Sequence, residues 1–125
     1  MRLLRAAAAA KATAGADTAK AAADAFFAPY ADVMTRVGRE RGWPPLSRAQ
    51  FDQDRGPRGH LIVGTPDEAV AEILAQHEVF RHDRYLMQMA VGHQPQAAIL
   101  RSIELLGTVV APKVRAELAK RKVLA

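Results

Sequence analysis

The chain has 125 residues, half of them apolar and a quarter charged, with a net charge of +5 and no cysteine. That composition is typical of a soluble globular domain of ordinary size and excludes a chain disordered throughout. The lack of thiols excludes disulfides, thiolate catalysis and cysteine-ligated zinc, and no apolar run is long enough to span a bilayer.

The basic excess is spread, partly over 36–58 and partly over Lys113, Arg115, Lys120, Arg121 and Lys122, with acids mixed in. Such a spread reads as a solvated surface rather than a nucleic-acid footprint. Residues 1–16 read as a frayed or disordered alanine-rich lead, because Arg5 and Lys11 leave too short an apolar core for a secretory signal. A cytoplasmic location is expected.

Residues 19–41 read as a helix with Phe27, Tyr30, Met34 and Val37 as its apolar stripe. Pro29 predicts a kink or split, and Gly42 followed by Pro44 and Pro45 ends the helix. Ser47 and Gln50 have the spacing of a capping box and start a short helix, and 55–59 is a turn-rich linker.

Leu61, Ile62 and Val63 form an uninterrupted β-branched-rich run and read as a buried strand. Thr65 is placed to cap the next helix, Pro66 suits its first position, Asp67 and Glu68 favour the positive end of its dipole, and Glu68 completes a capping box. Val70, Ile73 and Leu74 are its expected buried face, running on to His77.

A second strand is expected over 85–89, with Tyr85, Met87 and Met89 on one face and Leu86, Gln88 and Ala90 on the other. A second helix is expected over 97–110 with Ile99, Ile103, Leu106 and Val110 as its inner face. Pro112 ends or bends it, and a basic helical tail follows. Two buried strands separated by an amphipathic helix predict a parallel pair with a right-handed crossover, hence an α/β layer or an α/β barrel.

Four stretches carry a resemblance to a known family: Arg41-Gly-Trp-Pro-Pro-Leu-Ser-Arg-Ala-Gln-Phe51, Val63-Gly-Thr-Pro-Asp-Glu-Ala-Val-Ala-Glu-Ile73, Asp83-Arg-Tyr-Leu-Met-Gln-Met89, and Leu100-Arg-Ser-Ile-Glu-Leu-Leu-Gly-Thr-Val-Val-Ala-Pro-Lys-Val-Arg115. In this order and spacing the chain resembles the carboxy-terminal portion of luciferase-like flavin-dependent monooxygenases. The resemblance implies the fold class α/β, the C-terminal part of a TIM-like (β/α)8 barrel. Residues 17–59 would be a helical insertion, and 60–125 the last two βα units. It implies an oxidoreductase using FMN, or a deazaflavin, with a small organic substrate and no metal. A full barrel of this kind takes about 250 residues, so the expectation is an incomplete piece: a fragment, a broken reading frame or one part of a multi-chain assembly. Such a piece is expected to be inactive alone and to self-associate. The competing expectation is a non-catalytic remnant or assembly piece.

In such a barrel chemistry sits at the C-terminal ends of the strands. Gly64 and Thr65 there are candidates for cofactor phosphate, since glycine admits a ligand to the backbone and a helix start favours anions. Pro66 offers no N–H and the acids beside it oppose a phosphate, so a purely structural turn is the other reading. Gln88 is a candidate for flavin or substrate, or for a bond to a neighbouring strand. His93 is the candidate for substrate contact, or is a solvated loop residue. His60, His77, His82 and His93 lack the spacing of a helical metal motif. Ser102 and Thr108 show no nucleophile elbow or base partner, Trp43 reads as a packing anchor, and no residue is assigned the catalytic step.

Overall fold

The computed structural model describes residues 5–10 and 19–124. The elements are β1 (Arg5–Ala10), α1 (Ala19–Arg39), α2 (Arg48–Asp54), β2 (Leu61–Gly64), α3 (Pro66–Phe80), β3 (Leu86–Gln88), α4 (Gln96–Leu105), a π turn (Leu106–Val110) and α5 (Ala111–Leu124). No helix among the described residues is long and apolar enough to cross a membrane.

β1 pairs in parallel with both other strands, giving the order β2-β1-β3. Two sequence expectations therefore change. The strands at Leu61–Gly64 and Leu86–Gln88 are parallel members of one sheet, but they are not neighbours. Over Arg5–Ala10 the alanine run is a strand rather than a frayed lead; 1–4 and 11–16 lie outside the described residues. Alanine favours helix on its own, but a strand flanked on both sides gains ladder bonds along both edges, and that tertiary term decides.

The pleat of β2 divides the interior. Leu61 and Val63 pack into one core with Ala22, Ala23, Phe26 and Tyr30 of α1 and Phe51 of α2. Ile62 packs into a second core with Ala69 and Ile73 of α3 and Val110 of the π turn. All four β2 residues are buried, because helices lie against both faces.

In the first core Phe51 is fully buried and faces Phe27 at 5.1 Å, Tyr30 at 5.9 Å and Phe26 at 6.3 Å between ring centroids. Arg48 clamps the outside of this cluster: it pairs with Asp24 of α1 (2.8 Å) and Asp52 of α2 (3.1 Å), and its guanidinium lies over Phe27 and Phe51. The buried stripe of α1 is Ala22, Phe26, Tyr30 and Gly38, with Phe27 and Met34 at its margin and Val37 outside. The expected stripe is thus rotated by one residue.

α1 runs continuously through Pro29 instead of splitting. It ends where Gly42, at φ 71°, takes a left-handed conformation. Trp43 N–H then donates to the Gly38 carbonyl (2.9 Å) and Gly42 N–H to that of Arg39 (3.4 Å), the paired bonds of a Schellman stop. A side chain at Gly38 would press on Trp43, so Trp43 packs over the helix end.

The second core is closed by one helical course from Gln96 to Leu124. Pro112 does not end it. Proline has no N–H and its ring crowds the carbonyl four residues back; the wider π turn just before it relieves that crowding, with Ala111 N–H reaching back to the Leu106 carbonyl. On α4 the buried residues are Ser102 and Leu105, whereas Ile103 and Leu100 are about half exposed, so the expected inner face is displaced. Lys113–Asp67 (2.8 Å) and Arg121–Glu78 (2.6 Å) join start to start and end to end, setting α5 parallel to α3.

β3 alternates as its sequence predicts. Tyr85, Met87 and Met89 are half-buried against the second core, and Leu86, Gln88 and Ala90 are exposed on the other face. The expectation of a buried second strand fails on that outer face, which no helix among the described residues covers over β3; Leu86 is 57% exposed. Met87→Asp should lower stability by at least about 2 kcal/mol, through an unpaired charge set against apolar neighbours. Leu86→Asp, one residue away, should stay within about 0.5 kcal/mol of wild type. Equal effects in chemical denaturation would refute this assignment of faces.

Candidate functional site

β2 runs straight into the cap of α3. Thr65 Oγ1 accepts the Glu68 N–H at 3.3 Å, and Glu68 Oε2 accepts the Thr65 N–H at 2.8 Å, so both halves of the capping box are present. A cap of this type stabilises by about 0.5–2 kcal/mol. The Glu68 carboxylate lies directly over Gly64, where any Cβ would collide with it. Glycine here leaves room for close approach by the chain's own carboxylate, and a side chain would have to displace Glu68 from the capping box. Thr65 and Glu68 N–H are satisfied within the box, Ala69 N–H donates to the Thr65 carbonyl, and Pro66 has none, which leaves only the Asp67 N–H at this turn for an anion. With a carboxylate fixed over the turn, these residues do not fit a flavin phosphate.

The other candidates are dispersed. The register places Ala7 level with both Leu61 and Gln88, while Gly64 is level with Ala10. Gln88 therefore stands beside the beginning of β2, not its end. Three residues at about 3.3 Å each separate the Gln88 and Gly64 levels along the strands, and two strand spacings of about 4.8 Å separate them across the sheet. Gln88 is on the exposed face of β3 and His93 is exposed in the loop after it. Gly64 and Thr65 thus form one local feature, and Gln88 and His93 lie elsewhere. Ser102 is buried and donates to the Ala98 carbonyl at 3.0 Å, a helix back-bond with no base beside it.

The sequence reading missed two arrangements. β2 ends the sheet, and a cleft of about 230 Å³ runs beside it, between the Arg55 and Pro57 turn and the Glu68 and Glu72 side of α3. Glu72 makes no hydrogen bond or ion pair among the described residues. Burial first, then the Glu68 charge, push its carboxyl above its ordinary value. The signal was present in the sequence: acids at i and i+4 with no base beside them repel on a helix face.

The second arrangement closes the α3–β3 connection. The His82 ring lies 5.4 Å from His77 and 5.2 Å from Tyr85 between centroids. Tyr85 donates its hydroxyl to Gln76 Oε1 at 2.8 Å, and burial pushes its pKa up to about 12. Arg81, in the left-handed conformation at φ 50°, ends α3 by donating its N–H to the His77 carbonyl. His82 Nδ1 is buried without a partner among the described residues. His77 and His82 find no third ligand: no group of three or more His, Asp or Glu among the described residues could hold a metal ion.

No family model matches the chain, and no curated protein matches it.

Burial, then His77, lower the His82 pKa from 6.5, with Asp83 opposing. The folded state therefore prefers the neutral ring, and the unfolded state binds more protons as pH falls. This contribution to stability is complete above about pH 6.5 and is lost as pH drops through the lowered folded value. His82→Leu should flatten the decline of Tm on acidification from about pH 7 to about pH 5. Parallel Tm profiles for the two proteins would exclude His82 as the source.

Proposed function

We propose that the chain is the carboxy-terminal part of a luciferase-like flavin-dependent oxidoreductase, acting on a small organic substrate, in the cytoplasm. The observation that carries this reading is the set of four stretches 41–51, 63–73, 83–89 and 100–115 in one order. The strand–helix units Leu61–Phe80 and Leu86–Leu105 at the expected positions support it. In this reading they are the last two βα units of a (β/α)8 barrel completed by strands supplied in trans; the order β2-β1-β3 counts against it, because a barrel pairs consecutive strands directly and here β1 lies between them.

Bound FMN, or a deazaflavin, would supply the redox chemistry. The contribution of this chain is structural. Thr65 and Glu68 fix where α3 leaves β2, and Gln88 and His93 offer an amide and an imidazole on the exposed side of β3 and its loop. Because the Gly64 turn carries its own carboxylate, the cofactor phosphate rests in this reading on residues outside the described set.

A second reading, a non-catalytic assembly piece that self-associates, is favoured by the bare outer face of β3, where Leu86 is 57% exposed.

FMN titration separates the readings. An exposed helix end contributes about 0.3–1 kcal/mol to anion binding, far below the roughly 8 kcal/mol of a micromolar complex. The purified chain should be colourless and bind FMN more weakly than micromolar. With the complementary barrel strands supplied in trans, FMN fluorescence should quench. Absence of quenching in that mixture, with complex formation verified by sedimentation, would contradict the flavin reading and favour the assembly piece. Tight FMN binding by the isolated monomer would contradict the need for further strands.

A further inference from the structure

We propose that the cleft beside β2 receives a lysine or arginine side chain carried on an extended segment of a different polypeptide. β2 lies at the end of the sheet order, so one of its edges has no strand partner among the described residues. In a parallel strand alternate residues present their N–H and C=O groups to opposite edges. Part of the β2 backbone therefore faces the cleft with ladder bonds to offer, and an added strand is the usual way such an edge is covered.

The lining fixes the chemistry of what enters. Leu61 and Val63 of β2, Pro57 of the preceding turn and Ala71 of α3 supply apolar walls, and Glu68 and Glu72 supply the charge. Glu68 is held in the capping box, leaving Glu72 as the lining carboxylate with no partner among the described residues. Arg55, the base on the opposite wall, is paired with Asp52 at 2.8 Å. A long basic side chain meets both demands: its aliphatic stem covers the apolar wall and its head reaches Glu72. The volume of about 230 Å³ suits a side chain rather than a second sheet.

A second copy of the chain is the poorer occupant. Isologous pairing through β2 would bring Glu68 and Glu72 against the same two acids across the symmetry axis, and like charges set opposite each other destabilise a pair of strands. Self-association through the bare face of β3 leaves this edge free. The inference rests on the edge, the cleft and an acid unpaired among the described residues; it does not rest on the flavin reading, in which a barrel strand supplied in trans would take the same edge.

The test uses the purified chain, without flavin, and a fluorescein-labelled capped hexapeptide of alternating valine and threonine with one central lysine. The counterpart peptide carries glutamate in its place. Fluorescence anisotropy should show the lysine peptide binding about tenfold tighter than the glutamate peptide. That preference should be lost in Glu72→Gln and kept in Glu40→Gln, a change at an exposed acid beyond the end of α1. Should Glu72→Gln fail to fold, the wild-type protein still decides, because the lysine peptide should slow amide exchange within Leu61–Gly64. Equal binding of the two peptides, no binding of either, an unchanged preference in folded Glu72→Gln, or self-association that protects the Leu61–Gly64 amides without peptide would each overturn the proposal.

Discussion

Leu61, Ile62 and Val63 point alternately to opposite faces of one strand, and the two cores of the molecule meet across that alternation. Leu61 and Val63 join the aromatic cluster of α1 and α2. Ile62 joins α3 and the π turn. Because the side-chain period of a strand is two, slipping the register by one residue would put Ile62 among the aromatics and Leu61 and Val63 under α3. The helices on both faces are therefore positioned by the same short run, and β3, covered on one face alone, is the less constrained strand.

The turn after β2 shows how a local stability device restricts chemistry. A capping box satisfies backbone donors at a helix start by using side chains. Those donors are the groups an anion would need. In this chain Glu68 takes the Thr65 N–H and stands over Gly64, so the features that mark a good helix start also oppose a phosphate. On the same face of α3, one turn on, Glu72 is left without a partner among the described residues. The acid pair gives this end of the sheet a negative charge, whereas at the far side of α3 the acids Asp67 and Glu78 are tied to Lys113 and Arg121.

What was legible in the sequence was local. The Thr65-Pro66-Asp67-Glu68 cap, the Ser47 cap, the Gly42 stop and the alternation across 85–89 each follow from residue chemistry within a few positions. At Ser47 the hydroxyl accepts the Gln50 N–H, but the Gln50 side chain bonds Asp54 instead of completing the box. What was not legible depended on distant partners. Neither the place of Arg5–Ala10 between the two other strands nor the rotation of the α1 stripe toward Phe26 is encoded by period alone. The continuity of helix past Pro29 and Pro112 shows packing overriding a local breaker, by a π turn in the second case. Among the site candidates, only Gly64 and Thr65 were adjacent by necessity. The separation of Gln88 from them is a matter of strand order, which two strands and a helix did not specify.

If β2 joins the two cores, they should fail together. The direct measurement is a denaturant titration followed by NMR at Phe51 in one core and at the Ile73 and Val110 methyls in the other, for wild type and for Leu61→Ala. The account predicts coincident midpoints at both sites, and that Leu61→Ala moves both downward together, although Leu61 lies in the first core only. Separate midpoints, or a Leu61→Ala protein in which Ile73 and Val110 keep their wild-type transition, would contradict it.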